Sequence, residues 1–120
     1  MENKKLLDLS YLEQVCGANK AIVAKMIDMF VEQTPKQLAQ MHEFFEKESW
    51  EELFKVAHKT KSSLAMMGAR SIEQELQDLE QFAAKKMNLE QIPGLIETIE
   101  ATCKELLSEI EEVHIAVRNN

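Results

Sequence analysis

The chain has 120 residues, of which 45% are hydrophobic, and this is enough to build one sizeable core. Its formal net charge of −7 argues against a nucleic-acid-binding surface, which requires clustered lysines and arginines. No apolar run approaches the roughly 20 residues needed to span a bilayer, and the N-terminus lacks the apolar core of a signal peptide. We therefore expect a single cytoplasmic domain over residues 1–120.

The predicted elements are nearly all helical, because glycine and proline are rare and apolar residues seldom alternate with polar ones. A short first helix is capped by Ser10 and ended by Gly17. Asn19 then caps a second segment that keeps helical spacing for more than two dozen residues. Within that segment Pro35 is expected to kink or split the helix near Thr34.

Three further helices follow in the sequence. Ser49 opens one that runs through His58 and stops at Gly68, and Ser71 opens the next. Asn88 or Gln91 begins the last. Long amphipathic helices joined by short loops pack best side by side. The pattern predicts an all-α antiparallel four-helix bundle, up-down-up-down, with a short accessory N-terminal helix.

The two cysteines, Cys16 and Cys103, are far apart in the chain and form no CxxC motif. This spacing predicts neither a zinc site nor a disulfide framework, so both are interpreted as reduced packing residues. We expect no metal or cofactor in this chain. The methionines, seven in number, are interpreted mainly as core filler.

The rotation of His58 about its helix decides what this residue can do. At about 100° per residue, one side of the helix collects the residues of its core face, and His58 lies opposite them. That core face comprises Leu53, Val56, Ala57, Thr60, Ser63, Leu64 and Met67.

The outward face of the helix around His58 carries residue types that are unusual for a surface exposed to water. Phe54, Lys61, Ser62 and Ala65 all fall within about 60° of His58 by the same arithmetic. Small neighbours allow a bulky partner to approach the imidazole, and Lys61 lies near enough to reach a negative group attached to it. Lysines at 55, 59 and 61 also make this strip locally basic within an acidic protein.

Other interpretations of His58 and of the chain stay open at this point. A lone histidine on a helix is often an ordinary surface residue. A di-iron bundle needs two Glu-x-x-His motifs, and only Glu111 and His114 have that spacing. A helical adaptor that binds a partner without chemistry is a further alternative. Nucleotide binding is not favoured, because the three glycines are isolated.

A family resemblance follows from the residues around this histidine. Ala57-His58, Lys61, Ser63 and Gly68 resemble the signature of histidine-containing phosphotransfer (HPt) domains, which are four-helix bundles with an accessory N-terminal helix. Similar landmarks lie along most of the chain, at Phe30, Pro35 and Leu38, at Trp50–Leu53, and at Leu79 and Glu80.

Two positions depart from the family pattern. Thr60 replaces a usual leucine two residues after His58, which makes the core side less apolar. Ser62 replaces a usual glycine, which in the family leaves space for the phosphoryl group and the docking partner. The Ser62 hydroxyl is therefore expected either to slow transfer or to hydrogen-bond the phosphate.

The resemblance implies a phosphorelay protein without autokinase activity. His58 would accept a phosphoryl group from an aspartate of one receiver domain and pass it to another, with Lys61 offsetting charge and Mg²⁺ in the receiver. Partners would be response-regulator receivers and a hybrid sensor histidine kinase, with no nucleic acid or membrane, and the chain would be a monomer. The implied docking residues are Phe54, Lys55, Ala65, Gln33 and Gln37.

Overall fold

Four α-helices form the architecture in the computed structural model, which describes residues 11, 14, 17 and 19–118, with side chains to residue 111. They are α1 (Lys20–Glu46), α2 (Trp50–Met66), α3 (Glu73–Lys85) and α4 (Ile92–Arg118), with a 3₁₀ turn at Leu89–Gln91 before α4. The described residues contain no strand. The predicted helix over residues 10–16 lies mostly outside the described residues.

Helix α1 is continuous through Pro35, so of the predicted kink or split near Thr34 the split is wrong. Its start is as expected, because the Asn19 side chain accepts hydrogen bonds from the amides of Ala21 and Ile22 at 3.0 and 3.2 Å. Pro35 lies on the exposed side of the helix. Pro35 has no N–H for the carbonyl of Val31, and Val31 is also exposed, so solvent can take the place of that donor.

Helices α1, α2 and α3 are each followed by a residue in the left-handed conformation, and only after α2 is this residue a glycine. Gly68 has φ +72, and the next amide, that of Ala69, donates to the Leu64 carbonyl at 2.9 Å. Glu48 and Lys86 adopt the same left-handed conformation, with φ 55 and φ 52. A left-handed residue after the last turn lets these amides satisfy free carbonyls, so the predicted stop at Gly68 is confirmed.

The starts of α2, α3 and the 3₁₀ turn, unlike that of α1, have no side-chain capping hydrogen bond. Ser49 precedes α2 as predicted but makes no side-chain capping hydrogen bond. Helix α3 begins at Glu73, after Ile72, so the predicted start at Ser71 is wrong. Ile72 is only 3% exposed and belongs to the core. Asn88 precedes the 3₁₀ turn that leads into α4.

The helices pack in a ring, with α1 against α2 and α4, and α3 against α2 and α4. The connections between them are short, which makes neighbouring helices antiparallel. Within the described part of the chain, no helix combines the length and apolar content needed to cross a bilayer. The apolar faces meet in one core whose largest fully buried side chains are Met41, Leu53, Leu64, Met67, Leu76, Leu79, Ile92, Ile96, Ile99, Leu106 and Ile110.

Cys103 is a buried free thiol in this core, as predicted, while Cys16 lies outside the described residues. Burial raises the pKa of the Cys103 thiol to about 12, and the nearby Glu100 carboxylate contributes to the shift. The thiol therefore stays protonated and acts as an apolar packing group.

Candidate functional site

The predicted core face of α2 is confirmed almost completely. Six of its seven predicted residues are buried, and Ser63 is half-buried, with its hydroxyl donating to the Lys59 carbonyl at 3.1 Å. His58 therefore points outward, and 60% of its side chain is exposed. Its imidazole lies midway along α2, and the opposite face of this helix is buried in the core.

A carboxylate from the neighbouring helix holds the imidazole at one nitrogen. Glu80, on α3, places Oε1 2.9 Å from Nδ1 of His58. Its second oxygen, Oε2, accepts a hydrogen bond from the Lys61 ammonium at 3.0 Å. Glu80 itself is only 7% exposed. The three side chains thus form one connected cluster between α2 and α3, which we call the Glu80 cluster.

The Glu80 cluster determines which imidazole nitrogen carries the proton. An ionised carboxylate can only accept hydrogen bonds, so Nδ1 of His58 must donate. In the neutral ring the lone pair is then on Nε2. Within the described residues Nε2 has no hydrogen-bond partner. The arrangement presents a nucleophilic nitrogen to solvent while the opposite nitrogen is anchored.

Lys61 was expected to reach a negative group on His58, but its ammonium already has a partner in the structure. Its ammonium is bound to Glu80, and 26% of the side chain is exposed. An ammonium has three donors, so the bond to Glu80 leaves two for an anion that arrives at the site. The buried carboxylate also fixes where this cation lies relative to His58.

Sequence reasoning missed the role of Glu80 and treated it only as a helix landmark. A signal was present, because Glu80 belongs to the core-facing stripe of α3 with Leu76, Leu79 and Ala83. A carboxylate in such a stripe needs a partner when it is buried. Which partner it meets depends on how α3 lies against α2, and the sequence does not specify this.

The other predicted site residues are spread around His58. Phe54, which was predicted on the outward face beside His58, does lie next to that residue but is half-buried against the core. Ser62 is exposed one turn after His58, and Ala65 is half-buried. Lys55 is exposed and lies 3.7 and 3.6 Å from carboxylate oxygens of Glu51 and Glu52 on its own helix.

The two glutamines of α1 have different surroundings. Gln33 is half-buried and lines a groove between α1 and α2. Gln37 is 4% exposed, and its Oε1 lies 3.0 Å from the hydroxyl of Thr60, which is also 2.8 Å from the Val56 carbonyl. Gln37 is therefore unavailable to a docking partner, and it satisfies the buried hydroxyl that Thr60 brings to the core face.

The groove beside His58 is lined mainly by sulfur-containing and polar side chains. Met29 is 42% exposed, so it is an exception to the interpretation of the methionines as mainly core filler. On α2 the groove is lined by Lys59, which directly follows His58, and by Ser62, which lies one helical turn after His58. Its lining residues are Met26, Met29, Phe30, Gln33, Lys59, Ser62, Ser63, Met66 and Met67.

Comparison with known proteins identifies the family. The model of the Hpt domain matches residues 25–114, so the chain belongs to the Hpt domain family. Hpt domains are histidine phosphotransfer modules of phosphorelays, and they carry phosphoryl groups between partners such as receiver domains and kinases. No curated protein matches the sequence.

A solved structure shows the same fold. Histidine-containing phosphotransfer protein B (HptB) from Pseudomonas aeruginosa PAO1 superposes with a TM-score of 0.81 at 22% sequence identity. The match covers 92% of this chain and 95% of that chain. At this identity the likeness establishes the helical bundle.

The Glu80 cluster leads to a testable tautomer assignment. ¹⁵N NMR of the neutral rings should show His58 with its proton on Nδ1. His42 is an internal control, because its Nε2 lies 3.4 Å from Oε1 of Glu100 and it should favour the opposite tautomer. A proton on Nε2 of His58 in the unmodified protein would contradict the assignment.

Substituting the carboxylate by its amide should invert this tautomer. In Glu80→Gln the ammonium of Lys61 can only donate, so it takes the amide oxygen and turns the NH₂ group toward Nδ1 of His58. Nδ1 must then accept, and the ring proton moves to Nε2. Glu100→Gln is the matched control and should leave the His58 spectrum unchanged.

Proposed function

We propose that this Hpt domain carries a phosphoryl group on Nε2 of His58 and exchanges it with aspartates of response-regulator receiver domains. The observation that supports this proposal most directly is the Glu80 hydrogen bond to Nδ1, which directs the free lone pair outward. Exposure of the ring gives a receiver active site direct access to Nε2.

The transfer step needs no general base. The Nε2 lone pair of His58 attacks phosphorus, a P–N bond forms, and the aspartyl P–O bond breaks with its electron pair going to the aspartate oxygen. The proton on Nδ1 stays in place, so the phosphorylated ring is positively charged. The Glu80 carboxylate faces that charge at 2.9 Å, and passing the phosphoryl group to a second aspartate reverses each change.

The negative charge of the phosphoryl group would be neutralised by groups from both this protein and the receiver. Lys61 has ammonium donors left for the phosphoryl oxygens after it binds Glu80. A Mg²⁺ ion held by the receiver would supply the remaining positive charge. Positioning and electrostatics of this kind are enough for phosphoryl transfer, which passes through a loose transition state.

The receiver is proposed to dock over the outward face of α2 and the adjacent groove. Lys55, Ala65 and the exposed edge of Phe54 lie on α2, and Gln33 lies across the groove on α1. Exposed methionines such as Met29 give this surface an adaptable apolar centre. Gln37 is excluded because it is buried.

Replacing the histidine tests the acceptor. His58→Gln should abolish labelling by phosphorylated receiver domains while the circular-dichroism spectrum and Tm stay nearly unchanged, because the ring is exposed and the glutamine amide can still donate to Glu80. His42→Gln removes another exposed histidine and should be labelled like the unmodified protein. ATP without a kinase should label none of them. A protein that binds receivers but never takes phosphate would instead be an adaptor.

Lys61→Ala should slow transfer by about tenfold, the equivalent of roughly 1.4 kcal/mol in the barrier. The buried Glu80 carboxylate also loses one partner, so the free energy of unfolding should fall by about 1–3 kcal/mol. Lys59→Ala removes the same charge outside the Glu80 cluster. It should change the KM for the receiver more than the rate at saturation. Equal rates in Lys61→Ala and the unmodified protein would refute the role of Lys61.

Ser62→Gly should speed transfer, because the hydroxyl one turn beyond His58 narrows the approach to Nε2. The glycine should cost the helix about 0.5 kcal/mol of stability. Ser108→Gly is the matched control, since Ser108 is an exposed serine in α4. Rapid-quench kinetics of all three proteins would separate the two effects, and an unchanged rate in Ser62→Gly would show that the hydroxyl does not obstruct transfer.

A further inference from the structure

The ring of Phe54 lies parallel to the imidazole of His58, four residues away on the same face of α2. Their centroids are 6.1 Å apart and their planes differ by 12°. Phe54 is packed against the core, whereas most of the His58 side chain is exposed. The core therefore holds the phenyl ring in place, and the ring lies parallel to and offset from the more exposed imidazole.

The stacking of Phe54 on His58 restrains the orientation of the imidazole plane, which the Glu80 cluster does not. A hydrogen bond at Nδ1 fixes the position of one ring atom and the direction of one N–H group, but it leaves the ring free to tilt about that contact. A parallel aromatic neighbour restricts the tilt, because the offset-stacked contact between the rings is lost when their planes diverge. Together the two contacts define where the Nε2 lone pair points.

The charge of the ring after phosphorylation gives the stack a second effect. Bond formation at Nε2 with the proton retained on Nδ1 makes the ring cationic. The face of a phenyl ring is negative and attracts a cation placed over it. Phe54 would therefore stabilise the phosphorylated state of His58 more than the unmodified state.

We propose that Phe54 is a positioning residue that acts through the imidazole, in addition to any contact with the receiver: it holds the ring plane and stabilises the phosphorylated ring. This inference rests on the proposed function of His58. When the P–N bond is cleaved by water, the electron pair returns to Nε2 and the ring loses its positive charge. A contact that stabilises the cationic ring therefore slows hydrolysis of the phosphohistidine.

The experiment measures phosphohistidine lifetime without any receiver present. The unmodified protein, Phe54→Leu, Phe54→Tyr and Phe44→Leu are labelled by a phosphorylated receiver, separated from it, and followed by the decay of label. Leucine keeps the apolar bulk that Phe54 contributes to the core, and tyrosine keeps the aromatic face. Phe44 is a half-buried phenylalanine of α1, so Phe44→Leu controls for the packing change.

Phe54→Leu should shorten the half-life about threefold, the scale of an exposed cation–π contact. It should also shift the phosphotransfer equilibrium toward the receiver by the same factor. Phe54→Tyr and Phe44→Leu should keep the original half-life. Equal half-lives in Phe54→Leu and the unmodified protein would overturn the inference. If a separate transfer assay showed a raised KM for the receiver with that unchanged half-life, Phe54 would be assigned to docking alone. Absence of label from the unmodified protein would instead overturn the proposed function.

Discussion

The buried carboxylate of Glu80 is the contact on which the site depends. Removing a carboxylate from water is costly unless its oxygens are paired, and here each oxygen has its own partner, His58 or Lys61. Because Glu80 lies within the apolar stripe of α3, packing of the bundle core determines its position. The stability of the fold and the orientation of an exposed imidazole are thereby coupled through one side chain.

A second buried polar contact supports the same helix from the other side. The Thr60 hydroxyl on α2 is within hydrogen-bond distance of Gln37 on α1, and both side chains are almost fully buried. Apolar contacts alone allow a helix to rotate or slide by small amounts, whereas buried polar groups must keep their partners. Helix α2 is thus held by Gln37 on one flank and by Glu80 on the other, and this fixes the direction in which His58 projects.

Local periodicity was sufficient to predict the helices, the core face of α2 and the outward rotation of His58, because these depend on the 3.6-residue repeat alone. Contacts between helices were harder to predict. The bridging role of Glu80 and the burial of Gln37 depend on the rotation of α3 and α1 relative to α2, and nothing local specifies it. The continuity of α1 through Pro35 also depends on surroundings, since solvent can satisfy the carbonyl that proline leaves without a donor.

We propose that phosphate is carried on Nε2 of His58 while Glu80 keeps the proton on Nδ1. The most direct measurement is NMR of ¹⁵N-labelled protein after phosphorylation by a receiver, using phosphorus–nitrogen coupling to locate the new bond. Coupling to Nε2 of His58, with a proton still bound to Nδ1, is the predicted result. Coupling to Nδ1, or a phosphoryl group on any other residue, would contradict the account.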